Sequence, residues 1–156
     1  MSFKKILLCA AVSVCAILSA ACGIGMPKIK TVDEFAEIGK SQGFSVNTAK
    51  VDEAFRGEGD PVEEAFAYKD GMEVYFDVFS EDADALERYS ARGGIIDDSH
   101  KKGNVYITES NSGIYDGSIR VVKDGPVVVS YEILDNCPNK EAAKIEMTNL
   151  SNSIGY

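Results

Sequence analysis

Asp70-Gly71 stands directly before Met72 to Phe79, and no other stretch of this 156-residue chain limits its folding as much. The dipeptide is a strong hairpin signal, because a tight two-residue turn needs positive φ. Behind it, Met72, Val74, Phe76 and Val78 share one side, and Glu73, Tyr75 and Asp77 share the other. That alternation predicts a strand in a sheet with one buried face. A buried face needs a cover, so helices must pack against it.

The rest of the chain supplies both. Thr31 with Glu34 three residues on is a capping-box signature, and Gly43-Phe44 reads as a Schellman stop, which predicts a first helix between them. Strands are predicted over 45–51, 64–69, 72–79, 104–109, 114–123 and 127–134. Polar turns separate them at 52–63, 97–103, Asn111-Ser112-Gly113 and Asp124-Gly125-Pro126. A second helix runs from Ser80 to about Arg92, with Asp82 and Asp84 at its positive end and Gly93-Gly94 as its stop. A third spans about 138–154, where Ala143, Met147, Leu150 and Ile154 form one apolar face. The order is α-βββ-α-βββ-α: an α+β domain with a mainly antiparallel sheet of about six strands and helices on one face. A weak internal symmetry accompanies it. Asp33, Phe35 and Gly43 match Asp84, Leu86 and Gly94 in spacing.

The N-terminus has a different character. Lys4 and Lys5 precede an uncharged run, Ile6 to Ala21, that is shorter than the roughly 20 residues needed to span a bilayer. The run ends Leu18-Ser19-Ala20-Ala21-Cys22. This resembles the lipobox signal peptide of bacterial lipoproteins. It departs from that pattern at Ser19, where Leu is usual, with Leu18 one place earlier. The resemblance implies a signal peptide over residues 1–21 that is cleaved, and lipid on the sulfur and amino group of Cys22. Several acyl chains hold a protein at a bilayer far better than one, at about 0.8 kcal/mol per buried methylene. Residues 22–30 then form a lipidated tether and 31–156 a single domain. The eight residues Gly23 to Lys30 reach at most about 28 Å when extended, so the domain sits close to the membrane.

Charge and cysteine content narrow the function classes. Losing residues 1–21 removes two lysines and no acid. The mature chain then has 14 basic and 25 acidic residues, a net charge of −11. Such a surface repels phosphate backbones, which disfavours nucleic-acid partners. With Cys22 acylated, and Cys9 and Cys15 removed with the signal, only Cys137 remains, and no intrachain disulfide can form. The domain relies on its core. A mature chain of this size provides one lobe, too little for a two-lobed solute receptor.

Catalytic and metal patterns are weak. His100 is the only histidine. Its neighbours Asp97 and Ser99 share one short loop and cannot readily face each other as a triad does. Glu81-Asp82-Ala83-Asp84, Asp97-Asp98 and Glu58-Gly59-Asp60 are acidic, but they lack the calcium-loop spacing of an EF-hand. No nucleophile elbow, Walker loop or dinucleotide fingerprint is present. Cys137 reads as a turn residue ahead of the last helix. Tyr68, Tyr75, Tyr106, Tyr115 and Tyr131 fall on strands, and those that point away from the helices offer a surface for peptide, glycan or protein. The expectation is therefore a lipid-anchored extracytoplasmic protein without catalytic, cofactor or metal residues. It binds or scaffolds, with a protein or peptide as partner. The alternatives are a sensor or inhibitor of a neighbouring envelope protein and a small carboxylate-based envelope hydrolase.

Overall fold

The computed structural model describes residues 27–111 and 118–156. Its elements, in chain order, are α1 (Val32–Ser41), β1 (Ser45–Lys50), β2 (Glu63–Lys69), β3 (Met72–Val78), α2 (Asp82–Ala91), β4 (Lys101–Lys102), β5 (Val105–Asn111), β6 (Ser118–Asp124), β7 (Val127–Ile133) and α3 (Lys140–Ile154). One seven-stranded sheet runs β1-β2-β3-β7-β6-β5-β4, and every neighbouring pair is antiparallel. The class is α+β, as the patterning predicts.

Local chemistry sets the helix ends. The Thr31 side chain accepts from the Glu34 amide while Glu34 reaches back to the Thr31 N–H, which completes the capping box. At the other end Gly43 takes φ 85°. Its N–H donates to the Lys40 carbonyl and the Phe44 N–H donates to the Gly39 carbonyl, both at 3.0 Å. This is the Schellman closure. α2 ends the same way, with Gly93 to Ser90 and Gly94 to Tyr89. Asn139 caps the start of α3.

The main core lies between one sheet face and helices α1 and α3. Met72, Val74, Phe76, Val122, Val127, Val129, Tyr131 and Ile133 meet Phe35, Leu150 and Ile154 there. Phe35 stacks on Phe76 with ring centroids 5.2 Å apart. The chain enters this core early. Ile29 is buried, its N–H donates to the Ile154 carbonyl, and its own carbonyl accepts from the Tyr156 hydroxyl at 2.8 Å. Lys28 and Ile29 thus pack with the domain, although they fall in the stretch read as tether.

Two particulars differ from the sequence-based expectation. The strand count is seven, because Lys101–Lys102 pairs with Val105–Tyr106 inside a stretch expected to be a polar loop. The helices are also not all on one face. α2 packs on the opposite side of the sheet, where Ala85 and Tyr89 meet Phe79, Val121 and Val128. The reason lies in β6 and β7. Val121 and Val122 point to opposite faces, as do Val128 and its neighbours Val127 and Val129. These strands are apolar on both sides and need cover on both. The same arrangement limits the internal symmetry. The two strand triplets mirror each other across the β3–β7 contact, but α1 and α2 lie on opposite faces, so a twofold axis through the sheet does not superpose them.

Candidate binding face

α2 covers only half of the second sheet face. It packs mainly over β6 and β7 and reaches β3 at its edge, through Arg88 to Asp77 and Arg92 to Tyr75. The register of β1, β2 and β3 arranges the open half in rows. Glu64 faces Asp77, Phe66 faces Tyr75, and Tyr68 faces Glu73. One strand further, Glu73 faces Glu132 and Tyr75 faces Ser130. Directly opposed residues share a face, so each row is a set of touching side chains.

The middle row is aromatic. Phe66 and Tyr75 have ring centroids 4.9 Å apart. The Tyr75 hydroxyl donates to Glu73 at 3.0 Å. From the end of α2, the Arg92 guanidinium lies 3.9 Å from the centre of the Tyr75 ring, a cation–π contact at close range. Asn47, Glu64, Phe66, Tyr75, Asp77 and Arg92 line a shallow groove of about 220 Å³ here. Burial raises the Tyr75 pKa, with smaller upward contributions from Glu73 and a downward one from Arg92.

Asp77 is the most unusual group. Its side chain is 4% exposed, and Arg88 Nη1 lies 3.7 Å from its Oδ2. That separation permits charge attraction but no good hydrogen bond. Oδ2 has no hydrogen-bond partner among the described residues, and neither has the buried Ser130 Oγ one strand away. Burial raises the Asp77 pKa, Arg88 and Arg92 oppose this, and Glu64 across the ladder adds to it.

The other half is sealed. Tyr89 is fully buried, its hydroxyl lies 2.6 Å from Thr108 Oγ1, and that oxygen also accepts from the Ile95 N–H. Lys123, with its side chain only 2% exposed, runs out to Asp82 at the start of α2, 2.7 Å away. Its stem covers the core while its charge reaches a carboxylate at the rim.

The residues singled out in the sequence fall in several places. Cys22, together with Cys9, Cys15 and Tyr115, lies outside the described residues. Tyr68 and Tyr75 occupy the open half. Tyr106 packs against Tyr89 with centroids 5.8 Å apart, and Tyr131 belongs to the main core, where its hydroxyl donates to the Tyr156 carbonyl. Cys137 is half-buried in the turn before α3, packed so closely against Gly71 that a side chain there would collide with its backbone. Asp97, Ser99 and His100 do come together, though not as a triad. Asp97 Oδ1 lies 2.8 Å from His100 Nδ1, and Ser99 Oγ lies 2.6 Å from the same oxygen and 3.0 Å from the same nitrogen. A triad needs the serine and the acid on opposite ring nitrogens. Here Asp97 caps a single helical turn, and the bonds from Ser99 and then His100 hold its pKa down at about 2. Among the described residues no cluster of three His, Cys, Asp or Glu side chains is placed to hold a metal, and no helix is long and apolar enough to cross a membrane.

Phe66, Asp77 and Arg92 were not among the expected site residues. Asp77 carried a visible signal, a charged residue alternating with core positions on β3. Arg92 carried none, because it meets Tyr75 only when α2 crosses to the second face. Phe55, 86% exposed on the loop after β1, is the most exposed large apolar side chain among the described residues. Comparison with known protein families, curated proteins and solved structures finds no match to this chain.

Proposed function

We propose that this chain is a membrane-anchored extracytoplasmic lipoprotein, held by lipid on Cys22, that works by binding and not by catalysis. The anchor rests on the resemblance of Met1 to Gly23 to a lipobox signal. The domain begins at Lys28–Ile29, so Gly23 to Pro27 separate it from Cys22. Five residues span at most about 18 Å. On this reading the domain stands against the membrane surface.

The observation that carries the binding reading is the open half of the second sheet face. It holds an aromatic pair, a groove and a buried carboxylate with an unused lone pair, and only Arg88 and Arg92 from α2 and its end reach over its edge. The hydrolase alternative would use the paired acids Glu64 and Asp77. It is less favoured because the groove is shallow and gives a substrate little enclosure around the two acids.

Fractionation of cells carrying Cys22→Ser tests the anchor. The wild type is expected in the detergent phase, with a mature mass that includes acyl groups. The variant is expected to keep its signal or to be released. A wild type without acyl mass, or a variant with the same mature mass and partitioning as the wild type, contradicts the reading.

A further inference from the structure

We infer that the open half-face of the sheet is a docking surface for an extended basic segment of a partner protein, its Lys or Arg side chains entering between the carboxylates and over the aromatic rings. This deepens the binding reading above and rests on it.

The first argument is charge. Cross-strand pairs of like charge are destabilising, yet this face carries two of them, Glu64 opposite Asp77 and Glu73 opposite Glu132. The pair at Asp77 has the α2 arginines nearby. The pair of Glu73 and Glu132 has no ion-pair partner among the described residues, and a cation placed between them relieves the repulsion. The second argument is the ring surface. Arg92 already rests on Tyr75, which shows that this ring accepts a guanidinium, while Tyr68, opposite Glu73, is 40% exposed. The third is Asp77 itself, which lines the groove with its side chain more than nine-tenths buried and its Oδ2 lacking a hydrogen bond. A buried acceptor of this kind is costly until a donor reaches it. Aromatic rings flanked by carboxylates favour ammonium and guanidinium groups and repel acidic partners.

The test is calorimetric titration of the lipidated full-length mature protein in detergent micelles with a ten-residue lysine peptide and, separately, a ten-residue glutamate peptide. The lysine peptide is expected to bind, more weakly as salt rises, and the glutamate peptide not to bind. The Glu73→Gln, Glu132→Gln double variant is expected to weaken lysine-peptide binding by about tenfold, the loss of two exposed ion pairs at the upper end of their usual worth. Tyr68→Ala is expected to weaken it severalfold with the charges intact, and Glu37→Gln on exposed α1 to leave it unchanged. Lysine-peptide binding that is absent, or that Glu37→Gln weakens as much as the double variant does, overturns the inference. Binding of the glutamate peptide in its place overturns the ligand class while leaving the face a binding surface.

Discussion

Strands β3 and β7 lie side by side at the centre of the sheet, yet they sit in different surroundings. β3 alternates, with Met72, Val74 and Phe76 in the main core and Glu73, Tyr75 and Asp77 on the second face. β7 is buried along nearly its whole length, with Val127, Val128 and Val129 in succession. The boundary of α2 runs between them. On the β7 side every polar group of Tyr89, Thr108 and Lys123 finds a partner inside the fold. On the β3 side aromatic rings face outward and carboxylates of like charge stand opposite each other. The two halves of one sheet face thus differ in how fully their polar groups are satisfied. One completes the fold, and the other carries like-charged pairs and a buried acceptor that cost stability.

Substitutions should separate the halves sharply. Tyr89→Ala removes a fully buried ring and its bond to Thr108. A loss of about 3–5 kcal/mol is expected in urea unfolding. Thr108→Val keeps the shape but leaves the Ile95 N–H without its acceptor and the Tyr89 hydroxyl with only the Ile95 carbonyl at 3.4 Å. That should cost about 1–3 kcal/mol. A small loss in either variant would mean that the covered half is not the structural one.

The open half should respond in the other direction. Burial raises the Asp77 carboxyl above its ordinary 3.8, so the native state holds this proton more tightly than the unfolded chain does. The stabilising contribution of the protonated form is full below 3.8 and lost as pH rises through the native value. Asp77→Asn carries no charge at any pH. It should therefore match the wild type near about pH 4 and exceed it near neutral pH, in unfolding titrations at both. A variant less stable at neutral pH would show that attraction to Arg88 outweighs burial. The smallest change belongs to Tyr68→Ala, whose side chain is half in solvent. Its stability should shift by no more than about 0.5 kcal/mol.

Much of this contrast was readable in the chain, and some was not. The Asp70-Gly71 turn, the alternation behind it and the glycine stops at Gly43 and Gly93-Gly94 are local signals, and each marks a real element. The run Val127-Val128-Val129 explains the departure on the second face: continuous apolar residues need cover on both sides, where helices on a single face were expected. β4 gave no sign, being two lysines paired only because Gly103 turns the chain back. The candidate face was the hardest part. Glu73 and Glu132 are far apart in sequence and meet only through the β3–β7 register. Nothing local records which residue of one strand will face which residue of the other.

The central claim is that the open half-face does the binding and the covered half does not. Mapping amide chemical shifts in the protein during titration with the lysine peptide tests it most directly. The account predicts shifts at Asn47, Phe66, Tyr68, Glu73 and Tyr75, with Thr108, Val121 and Val128 unmoved. Shifts confined to the covered strands or to the outer face of α3 would contradict it.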